Sequence, residues 1–291
     1  MPASVFTLIE EKYDDFSKGH KKIAKYILEH YETASFMTAA KLGKAVDISE
    51  STVVRFASEL GFKGYPDFQE EMQKVLREKL TGVQRIEVAK SQMNSTNVLN
   101  SMLGSDAGRI MQTLQNVSKE DFDNAVDIIC KARNIYILGV RSSSFLAGFL
   151  KYYFKLIFEN VMLVDVSSDS EIYEQIFRIN EEDVCVAFTF PRYSQQTIHA
   201  VRFMKDRDVK VIGFTDKVTS PIAKFADCLL LAQSDMVSVA DSIVAPMSLV
   251  NALIVAVTLK MGDVVKENYA SLERIWDEYH VYDKIEEKKD V

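Results

Sequence analysis

Asp47-Ile48-Ser49-Glu50-Ser51-Thr52-Val53-Val54-Arg55-Phe56-Ala57-Ser58-Glu59-Leu60-Gly61 reads as one short helix with both ends marked. Ser49 stands where an N-cap belongs, its hydroxyl able to accept an orphan backbone N–H, and Gly61 follows Leu60 as a helix stop. Val53, Phe56, Ala57 and Leu60 fall at i, i+3, i+4 and i+7, so that face is expected to be buried. Ser51, Thr52, Arg55 and Ser58 remain outside, with Glu59 toward the C-terminal end. Just upstream, Leu42, Val46 and Ile48 close another short helix into a tight turn at Asp47-Ile48-Ser49. Helix, tight turn and helix make a helix-turn-helix, whose second helix offers its N-terminal side chains to a major groove.

Outward from this motif, residues 5 to 80 keep helical periodicity with no strand-like run. Ile23, Ile27 and Tyr31 form an apolar stripe on an earlier helix whose other face carries Lys21, Lys22 and Lys25. A further amphipathic helix covers Pro66 to Lys79, and Thr81 to Asn97 loses its apolar period and reads as a linker. Helical patterns over Val98 to Asn116 and Lys119 to Ala132 lead into a second domain. There, apolar runs at Ile135–Leu138, Val161–Val164, Val184–Phe188, Val209–Phe214 and Cys228–Leu231 have the length of buried strands. Helical segments lie between most of them: Ser143–Phe158, Ser194–Arg207 and a short Pro221–Phe225. That rhythm implies parallel crossovers and a doubly wound, five-stranded parallel sheet. Two last helices, Ile243–Met261 and Val264–Tyr279, should pack on it, and Glu286 to Asp290 is a solvated charged tail. The fold class is therefore two domains, an all-α helix-turn-helix domain followed by an α/β domain. We divide the chain into residues 1–80, a linker and connecting helix over 81–109, and an α/β domain over 110–291.

Composition agrees with this division. At roughly 100 to 200 residues per domain, 291 residues suit two domains. With 11 Gly and 5 Pro the chain is neither collagen-like nor disordered. The greasiest stretch, Ala245 to Met261, is interrupted by Ser248, Asn251 and Lys260, so no membrane span is expected. The N-terminus lacks a basic region followed by an apolar one, and Cys130, Cys185 and Cys228 form no Cys-x-x-Cys pair. A cytoplasmic protein with three small core cysteines is expected, with no metal site. Net charge is -7; residues 1–80 hold 12 Lys+Arg against 13 Asp+Glu, which leaves -6 for the rest. Any DNA contact must therefore come from a local basic face.

In open parallel sheets ligands sit beyond the C-terminal ends of the strands. Two such places are rich in hydroxyls: Gly139-Val140-Arg141-Ser142-Ser143-Ser144 and Thr189-Phe190-Pro191-Arg192-Tyr193-Ser194, each leading into a helix. Backbone N–H groups at a helix N-terminus, with hydroxyls and guanidinium groups, make a site for phosphate or another anion. Taken singly, Ser142 or Ser194 can be only a helix cap. Two loops of the same character, each with an arginine, point to a site. The candidates are Arg141, Ser142, Ser143, Thr189, Arg192, Ser194 and Thr197. Arg141 stands where a dinucleotide fingerprint needs a second glycine, and no P-loop is present, so no cofactor is expected.

The segment Leu42 to Phe68, with Ser49-Glu50-Ser51-Thr52-Val53-Val54-Arg55-Phe56 and Leu60-Gly61-Phe62-Lys63-Gly64-Tyr65-Pro66-Asp67-Phe68, resembles the DNA-binding domain of RpiR/MurR-type bacterial transcriptional regulators. The second half resembles the sugar isomerase (SIS) domain of those regulators in Gly139 to Ala147, in Thr189 to Thr197, and in Thr215-Asp216, Ser220-Pro221 and Ala226-Asp227. The resemblance implies a homodimer or higher oligomer whose SIS domain binds a phosphorylated sugar and changes the DNA affinity of the N-terminal domains. It aligns Ser143 with the serine of the first phosphate loop and Thr189 with the first hydroxyl residue of the second. This chain departs from the pattern twice. Arg141 replaces the second glycine of the first loop, and Pro191-Arg192 replaces the Ser-Gly of Ser-x-Ser-Gly-x-Thr. Two added cations either strengthen binding of an acidic ligand or reshape the pocket.

For the helix-turn-helix, the residues assign roles independently. Ser49, Ser51, Thr52 and Arg55 lie at the start of the second helix, where Arg55 is placed to read a guanine edge or grip a phosphate. Lys63, with Lys18, Lys21, Lys22 and Lys25, supplies phosphate candidates. The alternatives are a solvated lysine face and an Arg55–Glu59 pair at i, i+4. A dimer is expected on a palindromic operator, because one short helix covers few base pairs. The apolar helices Phe149–Phe158 and Ala245–Val257 serve either as its interface or as core. The competing function is an aldose–ketose sugar-phosphate isomerase, which needs a general base; Glu171, Glu174 and His199 are the nearest candidates. None shows paired acid and base spacing. We therefore expect a ligand-responsive regulator and not an enzyme, with no catalytic residue.

Overall fold

A computed structural model of the chain describes residues 5–77, 83, 85–86, 97–165, 168–235 and 240–282. The chain divides into two compact units, Met1–Val98 with Met236–Asp241, and Leu99–Asp235 with Ser242–Val291. The charged tail and most of Thr81–Asn97 lie outside the described residues; within that linker Val83, Arg85 and Ile86 are helical.

The first unit is helical throughout its described residues: α1 (Val5–Glu11), a 3-10 turn (Tyr13–Asp15), α2 (Lys18–Glu29), α3 (Tyr31–Ala34), α4 (Ala39–Val46), α5 (Glu50–Glu59) and α6 (Tyr65–Arg77). Ser17, Thr38 and Ser49 cap α2, α4 and α5 by accepting the backbone N–H three residues on. Ile23, Ile27, Leu42, Val53, Phe56, Phe68 and Met72 fill one core. Tyr31 does not continue the Ile23–Ile27 stripe. His30 leaves helical geometry and ends α2, so Tyr31 starts α3 and is 37% exposed. An i+8 extrapolation presumes an unbroken helix, and this one stops at i+6.

The tight turn follows α4, where Asp47 takes the left-handed conformation (φ 55°). Gly43 permits the chain to fold back there. Its backbone oxygen accepts from the Ile48 N–H at 2.8 Å, and a Cβ on Gly43 would stand 2.6 Å from the Ile48 oxygen.

In the second unit α7 (Val98–Asn116) and α8 (Lys119–Lys131) precede β1 (Ile135–Gly139), α9 (Ser143–Ile157), β2 (Val161–Leu163), α10 (Asp169–Ile176), β3 (Val184–Phe188), α11 (Gln195–Lys205), β4 (Lys210–Thr215), β5 (Cys228–Leu231) and α12 (Val244–Glu278). The five strands form one parallel sheet in the order β2-β1-β3-β4-β5. Alternate residues serve opposite faces. Ile135, Ile137, Val184, Val186, Ile212 and Phe214 pack under α8, α9 and α12, whereas Tyr136, Leu138, Cys185, Ala187 and Val211 pack under α10 and α11.

One further expectation needs correction. Pro221 to Phe225 is a run of turns and not an α-helix: its backbone hydrogen bonds, from the Ala223 N–H to the Ser220 oxygen and from the Phe225 N–H to the Ile222 oxygen, span three residues each. Glu171 and Glu174 lie within α10, which Ser168 caps. The expected pair of terminal helices is present: α12 is two helical stretches that meet at a break at Gly262, whose backbone is not helical (φ 26°, ψ -86°). By length and composition this helix could cross a membrane, yet Ala245, Leu249, Val250, Leu253 and Val257 are buried in the sheet's core. Burial pushes the Cys185 thiol up to about 12 and the Cys228 thiol up to about 11, as suits unreactive core cysteines.

The N-terminal edge of the sheet is closed by a polar clamp. Asp183, fully buried at its side chain, accepts from Arg133 Nε (3.0 Å) and Nη2 (2.9 Å), Asn134 Nδ2 (2.7 Å) and the Asn180 N–H (3.0 Å). Burial acts to raise its carboxyl, but these hydrogen bonds and the Arg133 charge together hold it below the ordinary carboxylate range.

Candidate functional site

The strand order reverses between β1 and β3, and Gly139 pairs in register with Phe188. Both hydroxyl-rich loops therefore leave the sheet side by side at the switch point, where a crevice opens in this topology. Gly139 brings the first loop close. A Cβ there would lie 2.5 Å from the Ser143 backbone oxygen and 3.0 Å from Ala147 Cβ, so only glycine lets α9 start hard against the end of β1.

The two serines differ. Ser194 caps α11, accepting from the Thr197 N–H at 3.4 Å. Ser142 sits in helical geometry and makes no side-chain cap, so capping does not explain it. Ser143 is buried (7% exposed), and its N–H donates to the Val140 oxygen. Thr189 and Thr197 are 2% and 0% exposed, and among the described residues neither hydroxyl has a hydrogen-bond partner; the buried Ser220 hydroxyl is a third such group. All three orphans lie past the C-terminal ends of β3 and β4. Buried polar groups without partners are uncommon enough to need a reason, and an absent ligand oxygen supplies one.

Arg141 (φ 57°) and Arg192 (φ 64°) both adopt the left-handed conformation, the region a glycine occupies freely. An L-residue there costs roughly 1–2 kcal/mol. Both arginines are exposed, and neither side chain makes an ion pair or hydrogen bond among the described residues. Two residues outside the sequence-based set join the site from the end of β4. The Tyr193 hydroxyl donates to Asp216 Oδ1 at 2.8 Å, and the buried Thr215 hydroxyl donates to the same oxygen at 3.3 Å. Burial pushes the Asp216 carboxyl up, while Tyr193 and the Lys217 charge pull it down. Their signals in the sequence are their position at the C-terminal limit of an apolar run and the SIS resemblance carried by Thr215-Asp216, neither of which gives them a role.

The helix-turn-helix face is built in the other unit. Ser49 Oγ lies 3.0 Å from Ser51 Oγ and 2.8 Å from Thr52 Oγ1, which places three hydroxyls together at the N-terminus of α5. Arg55 Nε donates to the Ser51 oxygen at 3.3 Å and forms no pair with Glu59. Glu59 instead meets His20 Nδ1 at 2.6 Å, and His20 packs edge-on against Phe56. The i, i+4 alternative for Arg55 is thereby removed, and its guanidinium stays exposed on the same surface as Ser51. Lys63 is exposed beyond α5. Of the α2 lysines, Lys25 pairs with Glu29 at 3.8 Å and Lys21 lies over the Tyr13 ring, while Lys18 and Lys22 are exposed.

His199, Glu171 and Glu174 are exposed residues of α11 and α10. Among the described residues no cluster of three His, Cys, Asp or Glu side chains is arranged to hold a metal ion.

Comparison with known proteins agrees with both halves. Residues 3–79 match the helix-turn-helix domain of the rpiR family, and residues 128–256 match the SIS domain. An uncharacterized HTH-type transcriptional regulator of Haemophilus influenzae is 26% identical over 232 residues, covering 78% of this chain and 79% of its own. The HTH-type transcriptional regulator HexR of Escherichia coli is 24% identical over 271 residues, covering 89% and 90%. Among solved structures, the sugar isomerase domain of an RpiR transcription factor from Sphaerobacter thermophilus matches with TM-score 0.59 and 21% identity over 61% of this chain and 99% of that one. The Vibrio vulnificus NanR protein complexed with ManNAc-6P matches with TM-score 0.56 and 20% identity over 93% and 98%. An N-terminal helix-turn-helix of this type joined to a SIS domain makes the chain a member of the RpiR family of DNA-binding transcriptional regulators.

Proposed function

We propose that the SIS domain senses a phosphorylated sugar or related anionic metabolite at Arg141, Ser142, Ser143, Thr189, Arg192, Ser194 and Thr197, and so adjusts the binding of α5 to DNA. The observation that carries this is the pair of orphan hydroxyls, Thr189 and Thr197, buried beside two helix N-termini at the switch point. The likeness in fold to NanR, solved with ManNAc-6P, supports the ligand class. On the DNA side Ser49, Ser51, Thr52 and Arg55 read the operator, with Lys63 on a phosphate. The functional unit is a cytoplasmic homodimer or higher oligomer on a palindromic site that controls carbohydrate genes. The exposed Leu103, Met111 and Leu114 of α7 suit self-association. The reading as a regulator and not an isomerase is supported by Glu171, Glu174 and His199, which stand on exposed helix faces without the solvent exclusion that tunes a general base.

Selection of genomic fragments by the purified protein, with and without a panel of sugar phosphates, tests this. Enrichment of a palindrome that one compound alters is the expected result. Failure to enrich any sequence at low salt, together with turnover of an aldose phosphate, would overturn it. Arg55→Ala should weaken operator binding by about 1–3 kcal/mol and relax preference at one base position. An unchanged preference in a fluorescence anisotropy titration would remove Arg55 from the recognition set.

A further inference from the structure

Resting on that sensing role, we infer that the effector carries a second anionic group besides its phosphate, and that Arg141 and Arg192 hold it. One phosphate is already provided for. The N-termini of α9, 15 residues long, and α11, 11 residues long, converge on the end of the sheet with Ser143 and the unpartnered Thr189 and Thr197 hydroxyls. The arginines come in addition to this set.

Their placement is symmetric and strained. Each sits in the left-handed region two residues before its loop's inner serine, Ser143 or Ser194, on loops that leave register-paired ends of β1 and β3. Glycine would hold either backbone without strain, so an arginine at both positions needs a use for its side chain. No carboxylate among the described residues occupies either guanidinium, whereas Arg109 and Arg133 in the same unit are paired with Asp106 and Asp183. The chain beyond residue 80 is acidic, with net charge -6. A ligand with charge at both ends meets repulsion there unless cations stand at the mouth of its site. A guanidinium forks equally well onto a carboxylate or a phosphate, so the second anion is either the carboxylate of a phosphorylated sugar acid or the second phosphate of a sugar bisphosphate.

Calorimetric titration of the full-length protein with glucose 6-phosphate, 6-phosphogluconate and fructose 1,6-bisphosphate at fixed ionic strength tests this. At least one doubly anionic probe should bind about tenfold or more tightly than glucose 6-phosphate. The winner distinguishes carboxylate from phosphate. Arg141→Gly and Arg192→Gly should each weaken that probe about tenfold more than they weaken glucose 6-phosphate. Arg141→Asn and Arg192→Asn also tolerate the left-handed backbone and should behave alike; melting curves check that all four fold. Equal affinity for all three probes overturns the second anion and leaves phosphosugar sensing standing. Equal loss for every probe in the variants does the same, because it puts the arginines on the phosphate. No binding of any probe at millimolar concentration overturns both.

Discussion

Arg141 and Arg192 are destabilising choices for the backbone they occupy. Replacing either with glycine removes roughly 1–2 kcal/mol of left-handed strain but adds unfolded-state entropy worth about 0.4–1 kcal/mol. The net gain of up to about 1.6 kcal/mol should raise Tm by up to roughly 3–6 °C. A fall in Tm in differential scanning fluorimetry would show that the side chains stabilise the unliganded fold after all. Asp183 makes the opposite case, a charge that supports the structure. Its carboxyl is held below the ordinary range, so its stabilisation is fully present above the unfolded pKa of about 3.9 and is lost as pH falls through the lower folded value. Asp183→Asn breaks the Arg133 fork and should cost about 2–4 kcal/mol at neutral pH. The difference from the parent should shrink as pH approaches 3. A pH-independent difference in urea midpoint would contradict this.

At the scale of elements, close approach decides more than propensity does. The proposed anion cradle in the loop after β1 requires that α9 begin against the strand end. Gly139→Ala drives a methyl into the Ser143 backbone and should cost about 1–3 kcal/mol, with effector affinity falling further than stability. Retained affinity in that variant would show that the cradle does not depend on the position of α9. Recognition helix α5 was legible from Ser49, Gly61 and the Val53-Phe56-Ala57-Leu60 spacing, since caps and stripes are local. Its partner was not. From the sequence, Glu59 could meet Arg55 on its own helix or a residue brought from elsewhere. Packing of α2 settles it by delivering His20 from 39 positions away. Likewise Tyr31 and Pro221–Phe225 were misplaced because a periodic pattern does not announce where a backbone turns out of it.

For the whole molecule, two units with separate hydrophobic cores should not melt as one. Calorimetry is expected to resolve two transitions, and a bound effector at about 100 times its Kd should stabilise only the larger unit, by about 2.7 kcal/mol. A single transition that shifts as a whole would mean that the units unfold together. Local periodicity, caps and strand-length apolar runs were enough to determine the two-domain order, the five strands and the two hydroxyl-rich loops, because each depends on neighbours in the chain. Only the tertiary structure decided that those loops emerge side by side, since strand order sets that and strand order is a matter of distant pairings. It alone showed which serine is a cap, which threonine hydroxyls are left without partners, and that two arginines hold the backbone of glycines, since burial and φ are properties of the folded chain.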